Sequence, residues 1–198
     1  YYLWSDKRPH ASNFLHPNKG FGVYAQVDYA NKNLFGAFSY SRLKTDAYVN
    51  LPIKKTSIYL RLKTIFQSGQ PPKQDYVGLT DDEPIYLTGS QTLFENFLPE
   101  NHNPRGWSGY SLGDRLIFGT LEYRLPVVPK TLSFNLISDY GSVWSSGEKQ
   151  TEVSTAGYEL RLSLGLVVLS AGDAQTVKDW NNDKEPIRYY RLALINPF

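Results

Sequence analysis

Ile117-Phe118-Gly119-Thr120-Leu121-Glu122-Tyr123-Arg124-Leu125 is the stretch on which the reading of this chain turns. Ile117, Gly119, Leu121, Tyr123 and Leu125 share one parity; Phe118, Thr120, Glu122 and Arg124 share the other. Successive side chains of a β-strand point to opposite faces, so this is a strand with one apolar face and one charged face. Pro126 and Pro129 end it, since neither offers an N–H to a sheet ladder.

The same pattern recurs along the chain. Phe21, Val23, Ala25, Val27 and Tyr29 oppose Gly22, Tyr24, Gln26 and Asp28. Leu34 to Leu51 reads as one long strand whose phase slips near Tyr40, at a bulge. Ile58, Leu60, Leu62 and Phe66 alternate with Tyr59, Arg61, Lys63 and Gln67. Leu132, Phe134 and Leu136 oppose Ser133, Asn135 and Asp139, and Tyr158, Leu160, Leu162 and Leu164 oppose Glu159, Arg161 and Ser163. A short apolar strand is expected over Leu166–Leu169, and a last one over Ile187–Phe198 with Tyr190, Leu192, Leu194 and Phe198 on one face. The fold class is all-β and antiparallel, with about eight strands, and residues 1–198 read as one domain.

The links between strands differ in length. Those at Pro52–Lys55, Pro126–Lys130 and Gly165 are tight, and those at 69–113 and 145–156 are long; the short link at 30–33 breaks this alternation. Outer-membrane barrels have one rim of tight turns and one of long loops. Residues 69–113 carry no sustained pattern, and a structureless loop beyond roughly 15 residues is unusual in a compact domain unless it has a function.

Composition removes several classes. The net charge of +2 over 198 residues argues against a nucleic-acid partner. Without Cys there is no disulfide, thiolate nucleophile or Cys-based zinc site, and His10, His16 and His102 lack metal-ligand spacing. No apolar run nears the ~20 residues of a spanning helix, and mean hydropathy is −0.41. A transmembrane β-barrel remains open, because its inward face is polar. The start, Tyr1-Tyr2-Leu3-Trp4, has no signal-peptide character, so the chain reads as a processed protein or a fragment, and the abrupt aromatic start favours a fragment. Gly106-Trp107-Ser108-Gly109-Tyr110 falls short of a nucleophile elbow, since Tyr110 stands where Gly is required, and the chain is read as a non-enzyme.

Alternation alone fits a soluble β-sandwich as well as a membrane barrel, with the two faces exchanged. Three features favour the membrane. Several strands reach the ~9–11 residues that cross a bilayer with tilt. Tyr, Trp and Phe recur near strand ends, as an aromatic girdle requires. The last strand also ends on Phe198, and a Phe-terminated final strand resembles the insertion signal read during outer-membrane barrel assembly.

The order of landmarks carries a closer resemblance. Pro104-Arg105-Gly106-Trp107 on the long loop precedes Gly119-Thr120-Leu121-Glu122-Tyr123-Arg124-Leu125-Pro126, then Ser138-Asp139-Tyr140-Gly141-Ser142-Val143-Trp144, then the Phe-terminated strand. This resembles the C-terminal barrel of the BamA/TamA-type surface-antigen superfamily, to which two-partner secretion translocators are related. In that family a long extracellular loop with a Val/Ile-Arg-Gly-Phe/Tyr tip folds into the lumen, and its Arg docks on acidic residues of the next two strands. The resemblance implies Arg105 as the docking cation, with Gly106 and Trp107 completing the tip and Glu122 and Asp139 as the carboxylates. Pro104 and Trp107 depart from the family's residues at those places.

The resemblance further implies an antiparallel transmembrane β-barrel, here about eight C-terminal strands of a larger one, in the bacterial outer membrane. Its activity would be protein insertion or translocation, with no cofactor and no metal. Its partners would be outer-membrane lipid, a client or secreted polypeptide and accessory assembly lipoproteins, with the N-terminal barrel half and periplasmic domains missing. Tyr190, Leu192, Leu194 and Phe198 would form the insertion signal, and Pro197 with the short 166–169 strand would make a pliable seam. The alternatives are a barrel that anchors or binds a surface partner, and a soluble β-sandwich binding module.

Overall fold

The computed structural model describes residues 2–5, 19–34, 37–80, 86–88, 101–164, 167–179 and 185–195. In chain order the strands are β1 (Tyr2–Ser5), β2 (Gly20–Ala30), β3 (Tyr40–Ile53), β4 (Thr56–Gly69), β5 (Val77–Thr80), β6 (Tyr86–Thr88), β7 (Asn101–His102), β8 (Tyr110–Gly113), β9 (Arg115–Val128), β10 (Leu132–Trp144), β11 (Thr151–Leu164), β12 (Val167–Thr176) and β13 (Ile187–Ile195). The helical content among these residues is three single 3-10 turns, at Lys32–Leu34, Lys73–Asp75 and Val177–Asp179.

Eight long strands, β2-β3-β4-β9-β10-β11-β12-β13, lie side by side in antiparallel pairs, with short β1 beside β2 and β6 parallel to the end of β13. The order runs from one edge to another and does not close, as expected of a part of a larger barrel. β4 and β9 are direct neighbours, so everything between them is an excursion from the sheet.

The exposure of the two faces decides between the mirror-image readings. Leu121 is 45 % exposed and Leu160 50 %, whereas Glu122 is 4 %, Asp139 2 % and Glu159 1 % exposed. A water-soluble sandwich buries its apolar face. Here the leucines at mid-height of the long strands, such as Leu62, Leu121, Leu136 and Leu160, face outward and the ionised side chains beside them inward, which is stable only when the surroundings of the outer face are themselves apolar.

The rims are more regular than the sequence pattern indicated. One rim has the turn Lys54–Lys55, the turn at 129–131 and the link 165–166; the other has 31–39, 70–114, 145–150 and 177–186. The link between β2 and β3 is thus a nine-residue loop (31 to 39) on the long rim, and it no longer breaks the alternation. β1 ends at Ser5 and β2 begins at Gly20 on the tight rim, and residues 6–18 between them lie outside the described residues.

Three expectations change. The strand anticipated from Leu34 begins only at Tyr40, and its pairing with β2 runs from Ala30↔Tyr40 to Gly20↔Asn50 without a bulge. Leu34 is held out of the strand by local turn chemistry: the Asn31 side chain accepts from the N–H of Asn33 at 2.9 Å, and the Ser39 hydroxyl accepts from that of Lys32 at 3.0 Å. The short strand expected at 166–169 is the start of β12, which continues to Thr176 and pairs along its length with β11. Its second half hides from a hydrophobic count because its inward residues are the small Gly172 and Ala174 and its outward residue is Asp173. It therefore does not make the short weak strand proposed for a seam.

The third change concerns 69–113, which is not structureless. β5 pairs parallel with β7 and antiparallel with β8, forming a three-stranded sheet that lies against the inward face of β9 and β10. Val77 and Leu79 on this small sheet pack with Ile65, Leu116, Val143 and Val153, which point inward from β4, β9, β10 and β11. Towards the long rim the inward face is therefore apolar, and at mid-height it is charged.

Candidate functional site

The loop tip lies where the inward face turns charged. Pro104 O accepts from the N–H of Trp107 at 3.2 Å, closing a β-turn over residues 104–107. Gly106, the third residue of this turn, has φ 79°, which L side chains adopt only with strain. A Cβ there would also stand 2.2–2.6 Å from the carbonyl carbon, carbonyl oxygen and Cβ of Ala174 on β12. Two independent constraints thus require glycine. Trp107 packs against the apolar cluster under the loop sheet.

Arg105 is 2 % exposed. Its main-chain N–H donates to Asp139 Oδ2 at 3.0 Å; its Nε donates to the same oxygen and Nη2 to Oδ1, both at 2.7 Å. Nη1 donates to Glu122 Oε1 at 2.9 Å and lies 3.5 Å from Glu159 Oε2. A planar guanidinium matches a carboxylate with two parallel bonds, and the remaining donor reaches the second acid. Burial alone would lower the basicity of Arg105, but Asp139, Glu122 and Glu159 around it hold it charged, well above its usual range.

The acids have further partners. Thr120 donates its hydroxyl to Asp139 at 2.9 Å. Glu122 takes Arg124 at 2.8 Å and Arg161 at 3.1 Å, and Glu159 takes Arg161 at 2.6 Å. Tyr189 donates to Glu159 at 3.2 Å, and the Arg124 guanidinium lies 4.2 Å above the Tyr59 ring. The cluster holds three cations (Arg105, Arg124, Arg161) and three anions (Glu122, Asp139, Glu159), all buried, so its formal charges sum to zero. A balanced network of this kind is close to neutral in net stability, but removing one member costs roughly 3–5 kcal/mol because an uncompensated charge stays behind.

The structure brings Arg105, Glu122 and Asp139 together. Sequence reasoning missed Glu159, a third acid on a third strand, together with Arg124, Arg161 and Tyr189. The signal for Glu159 and Arg161 was present: they sit on the inward parity of β11, and Glu159 falls in register with Asn135 of β10. Tyr190 faces outward and is 67 % exposed, and Leu192 is half-buried. Pro197, Phe198 and the side chain of Leu194 lie outside the described residues. His102 is buried with its ring edge-on to Phe118 at 5.2 Å, while Ser108 is exposed. No cluster of three or more metal-ligating side chains occurs among the described residues.

Long antiparallel strands with an apolar exterior, a charged interior and one tight-turned rim define a transmembrane β-barrel, here with an inward-folded loop. The family described as the Omp85 superfamily domain matches residues 7–186, and the chain belongs to the Omp85 superfamily. This superfamily comprises bacterial outer-membrane proteins of the insertion and translocation type, and its members are non-catalytic. No curated protein matches the chain.

Proposed function

We propose that this chain is a barrel segment acting in protein insertion or translocation in the bacterial outer membrane, with loop 69–113 docked in the lumen. The observation that carries the reading is the threefold grip of Arg105 on Asp139, with Glu122 at its other edge. Arg105, Gly106 and Trp107 form the docking tip, and Glu122 and Asp139 receive it. Residues 1–198 act as one unit of a larger barrel with an N-terminal half and periplasmic domains.

Tyr190, Leu192, Leu194 and Phe198 serve as the insertion signal, and β13 is one side of the seam. The pairing of β13 supports this: β12 takes one edge over Ile187–Leu194, while the other edge meets only β6, at Ala193–Ile195, among the described residues. A client or secreted polypeptide engages that edge, with accessory assembly lipoproteins and outer-membrane lipid as the other partners. The anchor reading, in which the same barrel tethers a surface partner, requires no such edge.

Depletion in cells tests the proposal. Loss of many outer-membrane proteins together is expected. Loss of one surface component with the rest unchanged favours the anchor, and a monomer folded without detergent or lipid removes both membrane readings.

A further inference from the structure

The outward face of β3, β4, β9 and β10 is not a uniform apolar surface. At mid-height one cross-strand row reads Val23, Ala47, Leu62, Gly119, Tyr140, following the pairings of β2 with β3, β3 with β4, β4 with β9 and β9 with β10. Small residues alternate with large ones. With Ser138 in the neighbouring row, Ala47 and Gly119 floor a depression of 560 Å³ walled by Leu60, Leu62, Leu121 and Tyr140. That volume is within the range of ligand sites, roughly 300–1,000 Å³.

Four residues nearer the long rim, about 13 Å along β9, the row reads Phe66, Arg115, Trp144. The Phe66 and Trp144 rings meet each other edge-on, with centroids 6.2 Å apart, in the same row as Arg115, whose side chain is 40 % exposed. It forms an ion pair with Asp114 at 3.6 Å, too long for a hydrogen bond. A second depression of 360 Å³ is lined by Arg115 itself, by the apolar Val27, Leu43 and Phe66 and by polar side chains that include Arg42 and Ser68. Between the two depressions Thr45 and Thr64 pair their hydroxyls at 2.8 Å.

We propose that this face is a binding track for a phosphate-bearing lipid of the outer leaflet, with Arg115 holding the phosphate and the Ala47–Gly119–Ser138 floor receiving an acyl chain. The occupant is set by the chemistry of the track. A guanidinium beside an aromatic pair at the level of a membrane interface fits a phosphate, hydroxyls below it fit a polar linker, and an apolar trough beneath fits hydrocarbon. Long loops mark the extracellular rim, which puts Arg115 in the outer leaflet. The inference rests on the membrane reading given under Proposed function.

The test uses the full chain purified in maltoside micelles, with hexa-acylated, bis-phosphorylated lipid A as probe and native mass spectrometry as readout. Gly119→Leu is the chosen filler because a Cβ at Gly119 meets nothing closer than Arg61 O at 3.8 Å, so the strand tolerates it. One retained lipid A per chain is expected. Gly119→Leu and Arg115→Ala should each reduce retention by roughly tenfold, through lost acyl burial and lost phosphate contact. Dephosphorylated lipid A should be retained by the wild type no better than lipid A is by Arg115→Ala. Equal retention by wild type and both variants overturns the track, as does loss of a dimer in Gly119→Leu with lipid binding intact. A chain that folds without any detergent overturns the membrane reading itself, so the two failures are distinguishable.

Discussion

The main-chain N–H and the Nε of Arg105 converge on a single oxygen, Asp139 Oδ2, at 3.0 and 2.7 Å, while Nη2 takes Oδ1 at 2.7 Å. One carboxylate thereby fixes both the side chain of the tip and its backbone. A shift of the turn along β10 would break all three bonds together. Arg105→Ala should cost about 3–5 kcal/mol of loop docking, because Glu122, Asp139 and Glu159 then outnumber their cations. Limited proteolysis within 69–113 should become much faster; an unchanged cleavage rate removes the docking role.

Ionic strength gives a second check. Raising salt from 0.1 to 1 M shortens the screening length from about 10 to about 3 Å, which weakens exposed pairs and hardly touches buried ones. The exposed Arg188–Asp173 pair should weaken, and the protease resistance of the loop should not change. A loop released by salt would mean that water reaches Arg105.

Gly106→Ala should be about as disruptive as Arg105→Ala although it alters no charge. The left-handed conformation costs roughly 1–3 kcal/mol for an alanine, and its Cβ would overlap the Ala174 carbonyl. Ala174→Gly should fail to rescue it, because the carbon and oxygen of the backbone remain in place. Rescue would show that only the Ala174 methyl group matters.

Leu79→Ala separates the apolar anchor from the ionic one. Leu79 is fully buried, and its side chain fills the space a Cβ on Gly141 would take. Truncation should cost roughly 2–5 kcal/mol and open the β5–β7–β8 sheet to hydrogen exchange. Amides near the Arg105 turn should exchange more slowly than those of β5. Uniform opening would mean that the loop docks as one cooperative unit.

Hydrogen exchange along β13 tests the seam. Between Ile187 and Leu192 its described partner is β12 alone, so amides directed at β12 should be protected and the alternate ones should exchange freely. Protection of every amide in that stretch would show a covered edge and remove the seam.

The sequence revealed some of these features better than others, for physical reasons. Faces were legible wherever large apolar residues alternate with charges, as in Ile117–Leu125, because the period of a strand is a local property. Parity alone put Glu122 and Asp139 on the polar face of their strands, and the membrane reading made that face the inward one. The second half of β12 was not legible, since Gly172 and Ala174 are small to admit the neighbouring chain, and size set by a distant contact leaves no periodic trace. The loop sheet escaped for a related reason: β5 has four buried residues in a row and β7 has two residues, too few to show a period. Glu159 was on the correct face but lay a strand beyond where the resemblance looked.

The tip touches five neighbouring strands in succession. Arg105 reaches Glu122, Asp139 and Glu159 on β9, β10 and β11; Gly106 abuts Ala174 on β12; and the carbonyl of Asn103 accepts from Arg191 on β13 at 3.0 Å. Residues 103–106 therefore gauge the curvature of the sheet. Flattening it would draw β9 and β13 apart and pull these contacts out one after another, so a wall built this way cannot widen its lumen until the turn has let go.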